Sequence, residues 1–315
     1  MSDSPPFIRD DVKAVLDLMA TLRGTPLPDL PLEQARKAFE ISRPIMEADP
    51  RPLAVIRDLA CPGPGGDIPL RLYDARAERE AGPLIVFYHG GGFVIGDLDS
   101  HHNFCTAIAE AMDLPVVAVD YRLAPEHPFP AAADDAEAAT RWLGTSPAEL
   151  SRQVTGLIPM GDSAGGNLAI VVTQDLQAKP AAVPVVLQVP IYPCAHARFD
   201  GMESFSRFGA GFMLDAYAMN WFFDCYAAAE HEVRAYPILG DLSNTPPTVL
   251  ITAGLDPIRD SGRTYAAALI ANGRDVTYME FAGTIHGFVN LRKALPSANE
   301  DVARLFAAMK QALGR

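Results

Sequence analysis

The stretch Met160-Gly161-Asp162-Ser163-Ala164-Gly165-Gly166-Asn167 decides the fold. It follows a mostly apolar run at 154–158 that reads as a buried strand, and it leads into Leu168-Ala169-Ile170-Val171-Val172, which fits a packed helix. Ser163 therefore sits at a strand-to-helix turn. In the spacing Gly161-x-Ser163-x-Gly165, small residues on both sides of the serine permit a turn tight enough to project its hydroxyl, and Gly166 adds a second place for close approach by a helix. Five residues alone are equally an ordinary glycine-rich turn, so the meaning of the stretch rests on what surrounds it.

Outward from this turn the chain alternates. Upstream, continuous apolar runs at 84–88 and 116–119 have the pattern of strands covered on both faces, and 131–143 reads as a helix. Downstream, the helix reaches residue 177 and a strand is expected at 183–189. The rhythm then resumes with a strand at 248–253, a helix at 259–271, a strand at 276–281 and a helix at 299–313. Such alternation predicts a mostly parallel sheet flanked by helices. Ahead of it, 54–59 and 68–73 form a hairpin around Pro62-Gly63-Pro64-Gly65-Gly66. Two segments fall outside the rhythm. Residues 10–22 and 32–47 are helix-like, are separated by Pro26, Pro28 and Pro31, and have no place in a sheet, so they are expected to pack over something else as part of a lid, the alternative being an N-terminal decoration with no contact to the site. Between Pro193 and Pro237, an insertion crowds together Phe205, Phe208, Phe212, Met213, Trp221, Phe222, Phe223 and Tyr226.

At 315 residues the chain exceeds the rough prior of about 150 residues per domain, although open α/β folds reach this size as one unit. With 49% hydrophobic and 21% charged residues it has the composition of a soluble globular protein. The formal charge of −13 disfavours nucleic acid and anionic lipid as partners. No apolar run approaches the roughly 20 residues of a bilayer span. The start, Met1-Ser2-Asp3-Ser4-Pro5-Pro6, has neither a basic nor an apolar signal region, so residence in the cytoplasm is expected. Cys61, Cys105, Cys194 and Cys225 are widely spaced and form no C-x-x-C pair, which points to free thiols and no metal site.

A serine hydroxyl is a poor nucleophile near neutral pH and needs a base, itself held by a third group. Asp256 lies just after the strand at 248–253, with Asp260 as an alternative acid nearby and helix capping as an alternative role. His286 closes the last strand. Serine, acid and histidine then follow in that order, each at the carboxyl end of a strand, where open sheets of this class place their ligands. A second piece is Tyr88-His89-Gly90-Gly91-Gly92-Phe93. Residues without side chains let backbone N–H groups reach a developing oxyanion, together with the amide after the serine, Ala164. In this reading His89 orients the loop and Asp162 is structural.

His89-Gly90-Gly91-Gly92, Gly161-Asp162-Ser163-Ala164-Gly165-Gly166, Asp256-Pro257 and His286-Gly287-Phe288 together resemble the hormone-sensitive-lipase-like family of bacterial carboxylesterases. So does Tyr121-Arg122-Leu123-Ala124-Pro125-Glu126-His127-Pro128-Phe129-Pro130-Ala131-Ala132, and the likeness runs from about residue 68 to 291. Ile258 stands where leucine is usual in that family. The resemblance implies an α/β-hydrolase fold with a mostly parallel eight-stranded sheet and a helical cap. It implies a Ser163-Asp256-His286 triad, an oxyanion hole from the amides of Gly91, Gly92 and Ala164, and His89 and Gly90 in support. The cap would be residues 1–50 and 194–236, leaving 51–193 and 237–315 as the two parts of the core. Cleavage of short- to medium-chain acyl esters through an acyl-enzyme is implied, with a small-molecule substrate and no cofactor or metal. Homodimers are common among such proteins. Phe93, Asp97, Phe208, Phe212, Trp221 and Phe288 are candidates for the pocket wall. Two alternatives remain: a hydrolase of this fold acting on amides, peptides or acetylated small molecules, and a receptor that binds without turnover, whose relatives lose a triad residue that is present here.

Overall fold

The computed structural model describes residues 5–22, 24–199 and 201–315; Met1 to Ser4, part of the start read above for signal features, lie outside them. Its strands are β1 (Val55–Gly63), β2 (Gly66–Asp74), β3 (Gly82–Tyr88), β4 (Val116–Val119), β5 (Val154–Asp162), β6 (Val189–Ile191), β7 (Thr248–Leu255) and β8 (Val276–Ile285). They form one eight-stranded sheet in the order β1-β2-β4-β3-β5-β6-β7-β8. The first two strands are a hairpin with Gly63 opposite Gly66, so Pro64-Gly65 makes the turn, and β2 runs antiparallel to β4. All the other pairings are parallel.

The helices are α1 (Asp10–Leu22), α2 (Leu32–Met46), α3 (His102–Met112), α4 (Ala131–Gly144), α5 (Ala164–Ala178), α6 (Glu203–Phe208), α7 (Ala216–Tyr226), α8 (Arg259–Ala271) and α9 (Ala298–Ala312). The strands' continuous apolar runs divide with period two between two cores. Ile85, Phe87, Val116, Ala118, Ile158 and Met160 point to one face, where Phe104 and Ile108 of α3 and Leu305 and Met309 of α9 meet them. Leu84, Val86, Tyr88, Val117, Val119 and Leu157 point to the other, under Ala136 and Ala139 of α4 and Leu168 and Val172 of α5. A strand apolar at every position is thus explained by helices on both sides.

Two elements differ from the sequence expectation. The strand expected at 183–189 is a broken ladder. Pro184 and Pro190 lack the amide hydrogens that a continuous central strand would donate, so the segment meets its neighbours through single bridges at Val185 and Gln188 before β6 pairs over three residues. Helix α3, which no sequence expectation covered, has His102, Asn103, Thr106 and Glu110 on one face, but that face is not a solvent one throughout, since Thr106 is buried. Residues 104–109 are all buried, and no side chain caps its start.

The sheet places the candidate residues along one edge. β3 ends one residue before His89, β5 one before Ser163, β7 one before Asp256 and β8 one before His286. The N-terminal helices reach this edge through long-range ties. Arg9 holds Asp301 with Nη2···Oδ1 at 3.1 Å, and the Arg9 amide donates to Gly283 O at 3.2 Å. At the end of α2, Glu47 is buried against Arg292, whose Nε donates to Glu47 Oε1 at 2.6 Å. Removing one member of a buried pair leaves the other charge without its counter-ion, so Arg292→Met is expected to cost about 3–5 kcal/mol in urea unfolding. A cost below 1 kcal/mol would mean that this tie contributes little to docking α2. Among the described residues no helix is long and apolar enough to cross a membrane.

Candidate active site

Ser163 occupies the turn between β5 and α5 with φ 58° and ψ −114°, a region that side chains other than glycine rarely adopt. Its amide donates to Ile191 O of β6 at 2.9 Å. Only glycine fits at 165: a Cβ there would overlap the Tyr88 carbonyl oxygen outright and approach His89 O to 2.7 Å. The helix start therefore passes directly against the end of β3.

His286 Nε2 lies 2.9 Å from Ser163 Oγ, and Nδ1 lies 2.7 Å from Asp256 Oδ2. A carboxylate only accepts, so Nδ1 carries the proton and Nε2 is free to accept from the serine hydroxyl. Asp256 is fully buried, and its Oδ1 accepts the Ile258 amide at 2.9 Å, which fixes the carboxyl plane. Asp260, the alternative acid, is turned away. It accepts the Ser204 amide at 2.8 Å and pairs with Arg259 and Arg263. Against the penalty of burial, the Ser204 amide and the Arg259 contact hold its carboxyl below the usual range. Tyr192, which the sequence reading did not single out, is fully buried with its ring 4.6 Å from the His286 imidazole. Its position next to the broken strand ending at Ile191 gave no pattern to mark it.

The glycine loop is held from beneath. Asp162 Oδ1 accepts the Gly90 amide at 2.9 Å and lies 3.1 Å from His101 Nε2, which ties the glycine loop to the end of β5. His89 stacks on Tyr121 with ring centroids 4.3 Å apart, and Tyr121 Oη donates to His89 O at 2.6 Å. Burial, with His101 adding to it, lowers the His89 pKa to about 4, so the ring is neutral and supports the loop through packing. The segment after β4 is scaffold too. Arg122 pairs with Asp135 at 2.8 Å, and Glu126 takes both terminal nitrogens of Arg36 from α2 at 2.8 Å each.

A cavity of about 410 Å³ opens over the serine. Gly91, Gly92 and Ala164 line it together with Ser163 and His286. Of the proposed wall residues only Phe93 lines it. Phe208 and Phe288 are buried in the core beneath the sheet edge, Phe208 edge-on to Phe212 and Phe288 edge-on to both Tyr192 and Phe281. Trp221 packs in an apolar cluster with Val94, Ile95 and Ala124, and Asp97 faces a separate surface recess. The wall instead comes from Met19, Leu27 and Phe39 of the N-terminal segment and from Met213, Met219 and Phe222 of the insertion. Aromatic identity alone could not separate core from wall, because both environments reward large apolar rings.

A family model described as alpha/beta hydrolase fold matches residues 85–290. An ethyl acetate hydrolase of Pseudomonas putida is 34% identical, with the match covering 97% of this chain and 99% of that protein. A carboxylesterase of Mycobacterium tuberculosis, NlhH, is 39% identical over 78% of this chain and 79% of its own length. Among solved structures, an ester hydrolase from the metagenome of Lake Arreo, complexed with a bipyridine phosphonate derivative, superposes with a TM-score of 0.89 at 35% identity, covering 98% of this chain and 100% of that one.

Proposed function

The chain belongs to the hormone-sensitive-lipase-like carboxylesterases of the α/β-hydrolase fold, and from that premise we propose that it hydrolyses short- to medium-chain acyl esters through an acyl-enzyme on Ser163. The observation that carries this reading is the unbroken hydrogen-bond chain Ser163–His286–Asp256 at the floor of an apolar cavity. His286 takes the hydroxyl proton as Ser163 attacks the ester carbonyl, and Asp256 stabilises the resulting imidazolium. The same proton then passes to the departing alcohol. Water, activated by His286, attacks the acyl-enzyme and releases the acid and the free serine. The amides of Gly91, Gly92 and Ala164 receive the oxyanion at each step, and Ala164, as the first residue of α5, adds the positive end of a helix dipole.

Residues 1–50 and 194–236 act in this reading as two parts of one cap over the core segments 51–193 and 237–315. In support, both parts line the cavity, and Tyr217 Oη of α7 donates to Asp29 Oδ1 at 2.6 Å across them. A cavity of about 410 Å³, lined mostly by apolar side chains, suits neutral esters of modest size, as does full-length similarity to a protein named for ethyl acetate. Residence in the reducing cytoplasm fits the free state of Cys61, Cys105, Cys194 and Cys225, and assembly as a homodimer completes the proposal.

The test is a series of p-nitrophenyl esters from acetyl to palmitoyl, run beside stoichiometric labelling with diethyl p-nitrophenyl phosphate. A rate maximum at short or medium chains, abolished as Ser163 takes up the phosphoryl group, is the expected result. Labelling of Ser163 without hydrolysis of any ester would shift the assignment to amides, peptides or acetylated small molecules. Neither labelling nor hydrolysis would leave the receptor.

A further inference from the structure

The glycine loop is gripped from above as well as from beneath, and the upper grip belongs to the insertion. Gly92 and Phe93 are consecutive left-handed residues, with φ 61° and 64°. For Phe93 this conformation costs about 1–2 kcal/mol and persists only if its surroundings enforce it. The Phe93 ring lies flat on Tyr226 at the end of α7, with centroids 3.9 Å apart and planes 9° apart. Tyr226 O in turn accepts the Phe129 amide at 2.9 Å, which seats the end of the helix on the core. One turn earlier, Phe222 packs against Gly92 so closely that a Cβ on Gly92 would overlap Cγ and Cδ1 of the ring and lie 2.7 Å from Cδ2. Phe222 also shares an apolar cluster with Val94 and Ile95, the next residues of the loop, and with Leu27 and Phe39 of the N-terminal segment.

We infer that α7 is a clamp on the oxyanion loop, and that Phe222 is a positioning residue that holds the Gly92 amide where the oxyanion forms. The inference rests on the ester-hydrolase reading above. Gly92 has no side chain of its own to fix it, so on the cap side its place is set by the ring laid against it. Without that ring the amide gains room to retreat, and a displacement of about 1 Å at a transition-state contact is worth up to roughly 100-fold in rate. The insertion then contributes to kcat as well as to pocket shape.

The experiment compares Phe222→Ala, Phe222→Leu, Gly92→Ala and the double change on p-nitrophenyl acetate and hexanoate. Phe222→Ala is expected to lower kcat by about 10- to 100-fold on both esters with KM within about three-fold, and Phe222→Leu to recover most of the loss. Affinity for a trifluoromethyl ketone, whose hemiketal with Ser163 puts an oxyanion in the hole, is expected to fall by the same factor as kcat/KM. Gly92→Ala is expected to cost at least about ten-fold less in the Phe222→Ala background than in the parent, because the strain of alanine at this φ is common to both and cancels. An acetate kcat that is unchanged while KM shifts with chain length, or an unaltered ketone affinity, would reduce Phe222 to pocket wall and overturn the clamp. If Phe222→Ala does not fold, Phe222→Leu decides by the same split between kcat and KM. Organophosphate labelling of the parent separates the two levels: an unlabelled Ser163 sinks the esterase reading, whereas labelled variants with wild-type turnover sink only the clamp.

Discussion

Ser163→Ala is expected to lower kcat/KM on p-nitrophenyl esters by about 10⁶-fold while the far-UV dichroism stays that of the parent. The expected effect is that large because, in the proposed mechanism, attack by the hydroxyl, proton transfer to His286 and the covalent intermediate all pass through one oxygen, 2.9 Å from the imidazole. Residual hydrolysis would come from the oxyanion amides and from binding alone. Activity within ten-fold of the parent would remove Ser163 from the reaction. The same position carries a stability signature. At φ 58° and ψ −114° alanine inherits the strain of the serine, whereas glycine relieves it. Strain of about 1–3 kcal/mol set against the roughly 0.5–1 kcal/mol that glycine loses to chain entropy predicts that Ser163→Gly, equally inactive, melts above Ser163→Ala. The reverse order would mean that the elbow is unstrained.

The second large effect is expected from Asp256→Asn, a loss of about 10⁴-fold in kcat with little change in KM. The substitution keeps shape and burial but replaces an acceptor by a donor. If the asparagine oxygen keeps the Ile258 amide, its NH₂ faces His286 Nδ1 and turns that nitrogen from donor to acceptor. The imidazole then carries its proton on Nε2, the nitrogen that must accept from Ser163. Asp260→Asn is the control: its carboxyl serves Ser204, Arg259 and Arg263, so it should leave kcat within about three-fold. Equal losses at the two positions would mean that the acid has been misassigned.

Both expectations fall on residues readable in the chain itself, for a physical reason. The proposed reacting groups sit where strands end, and strand ends are marked by glycine, by apolar runs that stop, and by the small residues a tight turn demands. Ser163, Asp256 and His286 each carry such a mark. β6 did not, because Pro184 and Pro190 interrupt the ladder within a valine-rich run. The pocket wall was the least legible part. Phe208 and Phe288 have the composition of a wall but lie in the core, where Arg259 sits over the Phe208 ring at 5.2 Å. Met19, Leu27 and Phe39 line the cavity from some 120 to 140 residues away in sequence, and no local spacing encodes a contact made by the docking of separate segments.

That docking has a consequence for biosynthesis. Glu47 meets a partner 245 residues downstream, and Arg9 one 292 residues downstream. At about 5–20 residues per second, the ribosome delivers the partner of Glu47 roughly 12 to 50 s after Glu47 itself. Through that interval Arg36 and Phe39 of α2 can already meet Val94, Ala124 and Glu126, but Arg9 and the end of α2 lack their partners, with Leu22 and Ile45 exposed even in the finished fold. The segment synthesised early therefore completes its docking late. The window in which nascent chains are most open to holdase chaperones, or to one another, lies before β8 and α9 emerge, and the cavity over Ser163, which His286 and Leu291 help to line, cannot close until they do.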